Sequence, residues 1–250
     1  MRFVAKGSDF KRGETKNMSV PQPKNILVVA AHPDDEVLGC GATIMKHVTA
    51  GDNVAVLIMG EGVLARKEVK DRRDLLEKLW QDARAANDLL GVRRLILKDL
   101  PDNKINAIPL LDIVHMIEEI VAEVKPAIVY THHHGDVNID HQTISKAMQA
   151  VCRPMASTSI DHVYAFEIAS ATHWNFRHEA PFCPTVFVDV TNAIEKKIEV
   201  LKRYTSEIRE FPHPRSPEFL RALAQVRGGQ VGFKYAEAFE LVFSRIHDCP

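Results

Sequence analysis

Residues 26–36 have the sequence ILVVAAHPDDE, in which six apolar residues lead directly into an acidic turn. An apolar run of this length is typical of a buried strand, and the pattern of residues 37–50 predicts a helix that Gly51 ends. The acidic turn is therefore expected at the carboxyl end of a strand. Ligands of open α/β sheets bind at that edge, so this turn is the first candidate for a functional site.

Strand-like runs continue along the chain and alternate with helix-like segments. Further strands are expected at residues 54–59, 94–97, 127–131, 163–168 and 185–190, and helices at residues 67–90, 109–124 and 141–152. This alternation predicts a single α/β domain, residues 24–250, with a Rossmann-like, doubly wound and mostly parallel sheet. Residues 1–23, which are polar and end in Pro21-Gln22-Pro23, are expected to form an N-terminal arm.

The pattern changes after Val190. Residues 191–208 predict a helix with Thr191 as its N-cap, and residues 218–227 predict a second helix that stops at Gly228-Gly229. The prolines of segment 211–217 exclude regular structure between these two helices. Residues 236–246 fit a helix or a strand equally well, because their apolar run is too short to distinguish the two.

The composition of the chain argues against several classes of function. The chain has 250 residues, a formal net charge of −1 and a sequence pI of about 6.9, which does not favour binding to nucleic acid or to an anionic membrane surface. No apolar run approaches the roughly 18 residues of a membrane-spanning helix, so we expect no membrane insertion. The four cysteines are far apart and form no CxxC pair, as expected for reduced thiols in a cytoplasmic protein.

A second group of metal-binding residue types follows the fourth strand, where residues 131–141 read THHHGDVNIDH. The first and fourth strands are neighbours in the commonest doubly wound order, which would bring His32, Asp35 and His141 to one place. Two histidines and one carboxylate, with one open position, are the ligands of a catalytic zinc site. Asp34 lies between two of them and is free to act on a water. The alternative is that Asp34 and Asp35 only cap the following helix.

Three sequence blocks, AHPDDE at residues 31–36, DVNIDH at 136–141 and YAEAF at 235–239, resemble those of the LmbE-like or PIG-L zinc-dependent N-deacetylases. The resemblance spans about residues 25–243 and includes the loop GEGV at residues 60–63. It implies a metal-dependent amidohydrolase that cleaves a linear amide C–N bond and removes the acetyl group of an N-acetylglucosamine-type amino sugar. It also implies Zn²⁺, or another divalent metal, as cofactor and assembly into a homo-oligomer, a trimer or a hexamer.

The same resemblance assigns His32, Asp35 and His141 as the metal ligands and Asp34 as the general base. Many members carry a histidine, credited with stabilising the oxyanion, at the position of Asn138. The oxyanion donor is therefore open here among Asn138, the pair His133 and His134, and His213 of the proline-rich segment.

Other polar residues have two interpretations each. Asp140 either orients a ring or loop near the metal or caps the helix expected at residues 141–152. Glu61 and Arg66 follow the second strand and are candidates for binding a sugar hydroxyl, although Arg66 fits a solvated helix position equally well. Segment 211–217 either helps to close the active site, alone or against a neighbouring subunit, or is a stiff surface linker. In the first case His213 and Arg215 are candidates for substrate binding.

Additional candidates carry less information. Asp102 follows the third strand, either at the site or as part of a plain turn. Trp174 either stacks on a sugar ring or fills a loop, and Arg215 and Arg227 are candidates for contacting a phosphate or a neighbouring subunit.

Two alternative functions stay open at this point. One is an amidase that acts on a thiol conjugate or another non-sugar amide at the same metal. The other is a non-catalytic sugar- or nucleotide-binding module, although the phosphate-binding pattern GxGxxG is missing after the first strand.

Overall fold

In the computed structural model, residues 22–62, 72–153, 159–176 and 180–247 are described. Arg66, most of the expected N-terminal arm and the first residues of the helix expected at 67–90 lie outside these ranges. Within them, no helix combines the length and the apolar character needed to cross a membrane.

A seven-stranded sheet forms the centre of the molecule. Its strands are β1 (Asn25–Ala30), β2 (Asn53–Gly60), β3 (Arg94–Leu100), β4 (Ile128–His132), β5 (His162–Phe166), β6 (Val186–Asp189) and β7 (Ala236–Ser244). They lie in the order β3-β2-β1-β4-β5-β7-β6, and β1 to β5 are parallel. Strand β7 runs antiparallel to both of its neighbours. The expected doubly wound, mostly parallel sheet is confirmed, and β1 and β4 are neighbours.

Helices cover both faces of the sheet. They are α1 (Asp35–Thr49), α2 (Arg72–Leu90), α3 (Leu110–Val124), α4 (Ile139–Val151), α5 (Ile194–Leu201) and α6 (Pro217–Gly229). Alternate residues of β1 point to opposite faces. Ile26 and Val28 pack in the core under α1, α2 and α5, and Leu27 and Val29 pack in the core under α3 and α4. Both faces of β1 are thus buried, which explains its continuous apolar sequence.

The segment after β6 differs from expectation. A helix over residues 191–208 is wrong: α5 ends at Leu201, and Ala193 rather than Thr191 precedes it. Tyr204 is fully buried, and its hydroxyl donates to Glu36 Oε1 at 2.5 Å, so the chain turns inward after Leu201 instead of continuing along the surface. Helix α6 extends to Gly229, past the expected stop. Position 228 must be glycine, since a Cβ there would lie 2.6 Å from the Phe233 carbonyl oxygen of the returning chain.

Helix α1 is kinked at Cys40, whose φ of −146° is not helical. The kink frees backbone groups that other elements satisfy. Glu237 of β7 accepts the N–H groups of Ala42 and Thr43 at 3.1 and 2.7 Å, and Lys197 of α5 donates to the Leu38 carbonyl at 2.7 Å. Lys197 and Glu237 also form a buried ion pair of 2.6 Å. The YAEAF block at residues 235–239 therefore holds α1, the helix that begins at the acidic turn.

Replacing Glu237 with alanine is expected to lower the free energy of unfolding by about 3–5 kcal/mol, because the Lys197 charge would be buried without its partner. Urea unfolding followed by circular dichroism measures this loss. The control is Glu195→Ala, which removes the exposed pair with Arg221 and should cost about 1 kcal/mol or less. Equal losses in the two variants would show that other contacts hold the kink.

Candidate metal centre and active site

The ends of β1 and β4 bring three candidate ligands together. The two strands pair in parallel, with Ile26 beside Ile128, so the turns that follow them lie side by side. His32 Nδ1 lies 3.4 Å and His141 Nε2 lies 3.3 Å from Asp35 Oδ2. The three ligand atoms are within 4.8 Å of one another, close enough to share one ion.

Carboxylates hold the second ring nitrogen of each histidine. His32 Nε2 lies 3.0 Å from Asp140 Oδ2 and 3.2 Å from Asp102 Oδ1, and His141 Nδ1 lies 3.0 Å from Asp136 Oδ2. Metal-binding histidines usually donate their other N–H in this way, which fixes the ring and its tautomer. The free nitrogens, His32 Nδ1 and His141 Nε2, are the ones that face Asp35.

Asp35 supplies an independent test of whether these residues fit a metal ion. Its Oδ2 accepts the His32 N–H at 2.9 Å and faces both rings. Its Oδ1 is buried and has no hydrogen-bond partner in the described part of the chain. An unpartnered buried carboxylate oxygen is costly unless a cation satisfies it. A divalent ion with a preference for imidazole and carboxylate ligands, such as Zn²⁺, therefore fits this donor set.

Asp34 lies beside the three candidate ligands in a constrained turn. Its φ of 109° is unusual for a residue with a side chain, and such strain is common at functional sites. The side chain makes no capping hydrogen bond to α1, which removes the simple capping interpretation for this residue. Its Oδ2 instead lies 2.9 Å from Arg215 Nη1. Burial raises the pKa of the Asp34 carboxyl well above its usual range, and the Arg215 guanidinium opposes that shift.

The Glu36 carboxylate stabilises the turn that contains Asp34. Its Oε2 accepts the Asp34 N–H at 3.2 Å, and its Oε1 accepts from Tyr204 at 2.5 Å and from Asn87 at 3.0 Å. Burial raises the pKa of Glu36 to about 7, although the Tyr204 hydrogen bond opposes the shift. Sequence reasoning gave no role to Asn87 or Tyr204. They are distant in sequence, and no local pattern connects them to Glu36.

The structure separates the two interpretations of Asp140. Asn138 is the N-cap of α4, and its Oδ1 accepts the N–H groups of Asp140 and His141 at 2.8 and 3.4 Å. The Asp140 carboxylate instead holds His32 and accepts the N–H groups of Asn103 and Ile105 at 2.6 and 2.9 Å. Asp140 thus orients a ring and a loop. The Asn138 oxygen is committed to the helix, which leaves its amide nitrogen as the group able to donate to an oxyanion.

The three consecutive histidines have different surroundings. His132 is buried, its Nε2 accepts the Ala31 N–H at 2.8 Å, and burial lowers its pKa well below the usual range. Its neutral ring stacks on His141 with centroids 3.9 Å apart. His133 contacts Glu240 and the Ala180 carbonyl with its two ring nitrogens, at 2.6 and 3.0 Å. These contacts occupy both of its nitrogens, so we remove His133 from the oxyanion candidates.

The loop after β2 lies beside His32. A Cβ at Gly60 would be 2.9 Å from the Ala31 carbonyl oxygen and 3.4 Å from His32 Cδ2, so the backbone approaches the site closely here. Glu61 follows at this point, is buried and donates its N–H to the Leu100 carbonyl at 3.0 Å.

Arg215 connects the proline-rich segment 211–217 to the site. Arg215 contacts Asp34, and it also contacts Glu207 at 2.8 Å. The Arg215 guanidinium thus contacts the candidate base Asp34 rather than a phosphate. The His213 ring meets the half-exposed Trp174 edge-on, with centroids 5.7 Å apart.

Arg227 is paired within the chain. Its guanidinium forms two hydrogen bonds to Glu167, at 2.8 and 2.7 Å. This bidentate contact replaces the expected contact with a phosphate or a neighbouring subunit.

Known proteins share this fold. The chain is 25% identical over 254 residues to the diacetylchitobiose deacetylase of Thermococcus kodakarensis, which covers 97% of this chain and 91% of that protein. The solved structure of N,N'-diacetylchitobiose deacetylase from Pyrococcus horikoshii matches with a TM-score of 0.69, 19% identity and coverage of 88% and 84% of the two chains. The hydratase GalB from Pseudomonas putida KT2440 matches with a TM-score of 0.68, 22% identity and coverage of 91% and 99%.

The fold alone therefore does not specify the reaction, and a family match is more informative. The model of the family described as PIG-L, GlcNAc-PI de-N-acetylase, matches residues 27–152, just over half of the 250 residues. This range includes the acidic turn after β1, His141 and the carboxylates that hold the two histidines. The chain belongs to the PIG-L family.

Proposed function

We propose that this protein is a metal-dependent hydrolase that removes the N-acetyl group from an N-acetylglucosamine-type amino sugar or its conjugate. The observation that carries the proposal is the convergence of His32, Asp35 and His141 beside the buried carboxylate of Asp34, in a member of the PIG-L family. The relative from Thermococcus kodakarensis is named for its action on diacetylchitobiose, an N-acetylated amino sugar. We propose Zn²⁺ as the bound ion, with another divalent metal as substitute.

The roles of the residues follow from their positions. When bound, a divalent ion supplies Lewis acidity that polarises an amide carbonyl and acidifies water. In the proposed reaction Asp34 takes a proton from the attacking water and passes it to the leaving amine. Arg215 holds the Asp34 carboxylate through the contact of 2.9 Å and stabilises its charged form. The Asn138 amide is our candidate for the donor to the oxyanion, and Glu61 and Trp174 are our candidates for contacts with the sugar.

An amine-release assay tests this function. The zinc-loaded and the metal-stripped protein are compared on free, nucleotide-linked, lipid-linked and oligomeric N-acetylglucosamine, and on thiol-conjugate and non-sugar amides. Metal-dependent amine release from the sugar acetamides supports the proposal. Release only from the thiol-conjugate or non-sugar amides would replace it with the amidase alternative. Binding of sugars without turnover would replace it with a binding module.

Arg215→Ala is expected to lower kcat/KM about 10- to 100-fold, because without the guanidinium 2.9 Å from Asp34 Oδ2 burial favours the protonated form of that carboxyl, which cannot act as a base. Metal content should not change, since the ion pairs of Arg215 in the described part of the chain are with Asp34 and Glu207 and not with the three candidate ligands. His213→Ala should have a smaller effect. Arg221→Ala, on the exposed pair with Glu195, is the control. Unchanged kinetics in Arg215→Ala would make segment 211–217 a linker rather than part of the active site.

The assembly and location of the protein are further proposals. We propose a homo-oligomer, a trimer or a hexamer, whose mass light scattering would measure. A cytoplasmic location agrees with the described cysteines Cys40, Cys152 and Cys183, all free thiols.

A further inference from the structure

A second group of metal-binding side chains lies outside the candidate active site. It consists of His133, His134 and Glu240, whose ligand atoms are all within 4.8 Å of one another. His133 directly follows His132, the ring that stacks on His141. Successive side chains of an extended segment point to opposite sides, so the His132 and His133 side chains lie in different environments.

Backbone groups orient two of the three side chains in this second cluster. His133 Nε2 lies 3.0 Å from the Ala180 carbonyl oxygen, so this nitrogen carries a proton and Nδ1 faces the cluster. Glu240 Oε1 accepts the Cys183 N–H at 2.6 Å, which leaves Oε2 turned to His133 Nδ1 at 2.6 Å. Metal-binding histidines and carboxylates are commonly held by such contacts on their far atoms.

A proton or a metal ion can occupy the space between His133 and Glu240. Both nitrogens of His133 face acceptors, so without a metal the proton between Nδ1 and Glu240 Oε2 makes the short contact of 2.6 Å favourable. An ion bound to Nδ1 replaces the proton at that atom, which is released to the solvent. His134 is exposed and Glu240 is only partly buried, so both side chains are able to adjust to the metal–ligand distances of about 2.0–2.2 Å.

We propose that His133, His134 and Glu240 bind a second divalent transition-metal ion. Two imidazoles and one carboxylate suit Zn²⁺, Co²⁺ or Ni²⁺ better than Mg²⁺ or Ca²⁺. The ion would join the residues that directly follow β4 to strand β7. His134 and Glu240 also line a cavity of about 740 Å³ together with Gln149 and Arg153, which leaves the remaining coordination positions open to water or an anionic ligand.

Metal stoichiometry tests the second site independently of enzyme activity. Chelator-stripped protein is dialysed against Zn²⁺ or Co²⁺, and the bound metal is counted by elemental analysis. We expect two equivalents per wild-type chain, one in the His134→Ala, Glu240→Gln double variant and one in His141→Ala. The control His115→Ala, on the exposed face of α3, should keep two. One equivalent in the wild type, or equal counts in the wild type and the double variant, would overturn the proposal.

A second measurement, the zinc-induced change in Tm, distinguishes loss of the metal site from misfolding of a variant. Zn²⁺ is expected to raise the Tm of the His141→Ala chain through the second site, and the shift should vanish when His134→Ala is added. The exposed His134 side chain is removable without disturbing the core. A zinc-induced shift of the same size with and without His134 would exclude this cluster as the site.

Discussion

Replacing Asp34 with asparagine is expected to lower kcat about 10²- to 10⁴-fold, the usual loss when a general base is removed. The variant keeps the size of the side chain, and asparagine tolerates positive φ, so the turn with φ of 109° should persist. Metal content should be unchanged, because Asp34 is not among His32, Asp35 and His141, whose ligand atoms converge. Steady-state amine release and elemental analysis on the same preparation measure both quantities.

Asp35→Asn is the matched comparison for Asp34→Asn. The two residues are adjacent, buried and acidic, but only Asp35 faces both histidines of the candidate centre. We expect Asp35→Asn to lose metal and activity together, and Asp34→Asn to lose activity alone. Near-full turnover of metal-loaded Asp34→Asn would place the base elsewhere.

His141→Ala is expected to abolish amine release and to remove the metal of the active site. The variant leaves only His32 and Asp35 as ligands, too few for the three-ligand set of a catalytic zinc site. Elemental analysis against the wild type measures the loss, and the ion proposed at His133, His134 and Glu240 should remain. Retention of every wild-type equivalent in His141→Ala would show that the ligand assignment is wrong.

Asp136→Asn is expected to have a metal affinity between those of the wild type and His141→Ala. Its carboxylate holds His141 Nδ1 at 3.0 Å and also accepts from the Thr172 hydroxyl at 3.1 Å. Loss of such a supporting carboxylate commonly weakens metal affinity about 10- to 100-fold. A graded order of affinity, with wild type above Asp136→Asn and His141→Ala weakest, would connect the supporting carboxylate to the ligand.

Local hydrophobic pattern was enough to predict most of the fold. Strand β1, buried on both faces, reads as a continuous apolar run, and Gly51 and Gly91 mark helix ends with φ values of 89° and 78°. The topological rule for parallel sheets then placed the turn after β1 beside the turn after β4. These features depend on neighbours along the chain or on a general property of parallel sheets, and both are visible in one sequence.

The secondary structure of the C-terminal part could be decided only from the tertiary structure. Residues 236–244 form a strand because β5 and β6 pair with them on both sides, and a short apolar run does not contain that information. The early end of α5 depends on Tyr204, which reaches Glu36 across 168 positions of sequence. Long-range contacts of this kind decide between conformations that local propensity leaves nearly equal in free energy.

The candidate site divides in the same way. The sequence by itself predicted the candidate ligands and the candidate base Asp34, because His32, Asp34 and Asp35 lie on one turn whose position in the sheet is predictable. Only the tertiary structure decided that Arg215 contacts Asp34, that Asp136 and Asp140 hold the two histidines and that His133 faces Glu240. These contacts join segments that are distant in sequence or turn neighbouring residues in opposite directions, and their geometry exists only after the chain has packed.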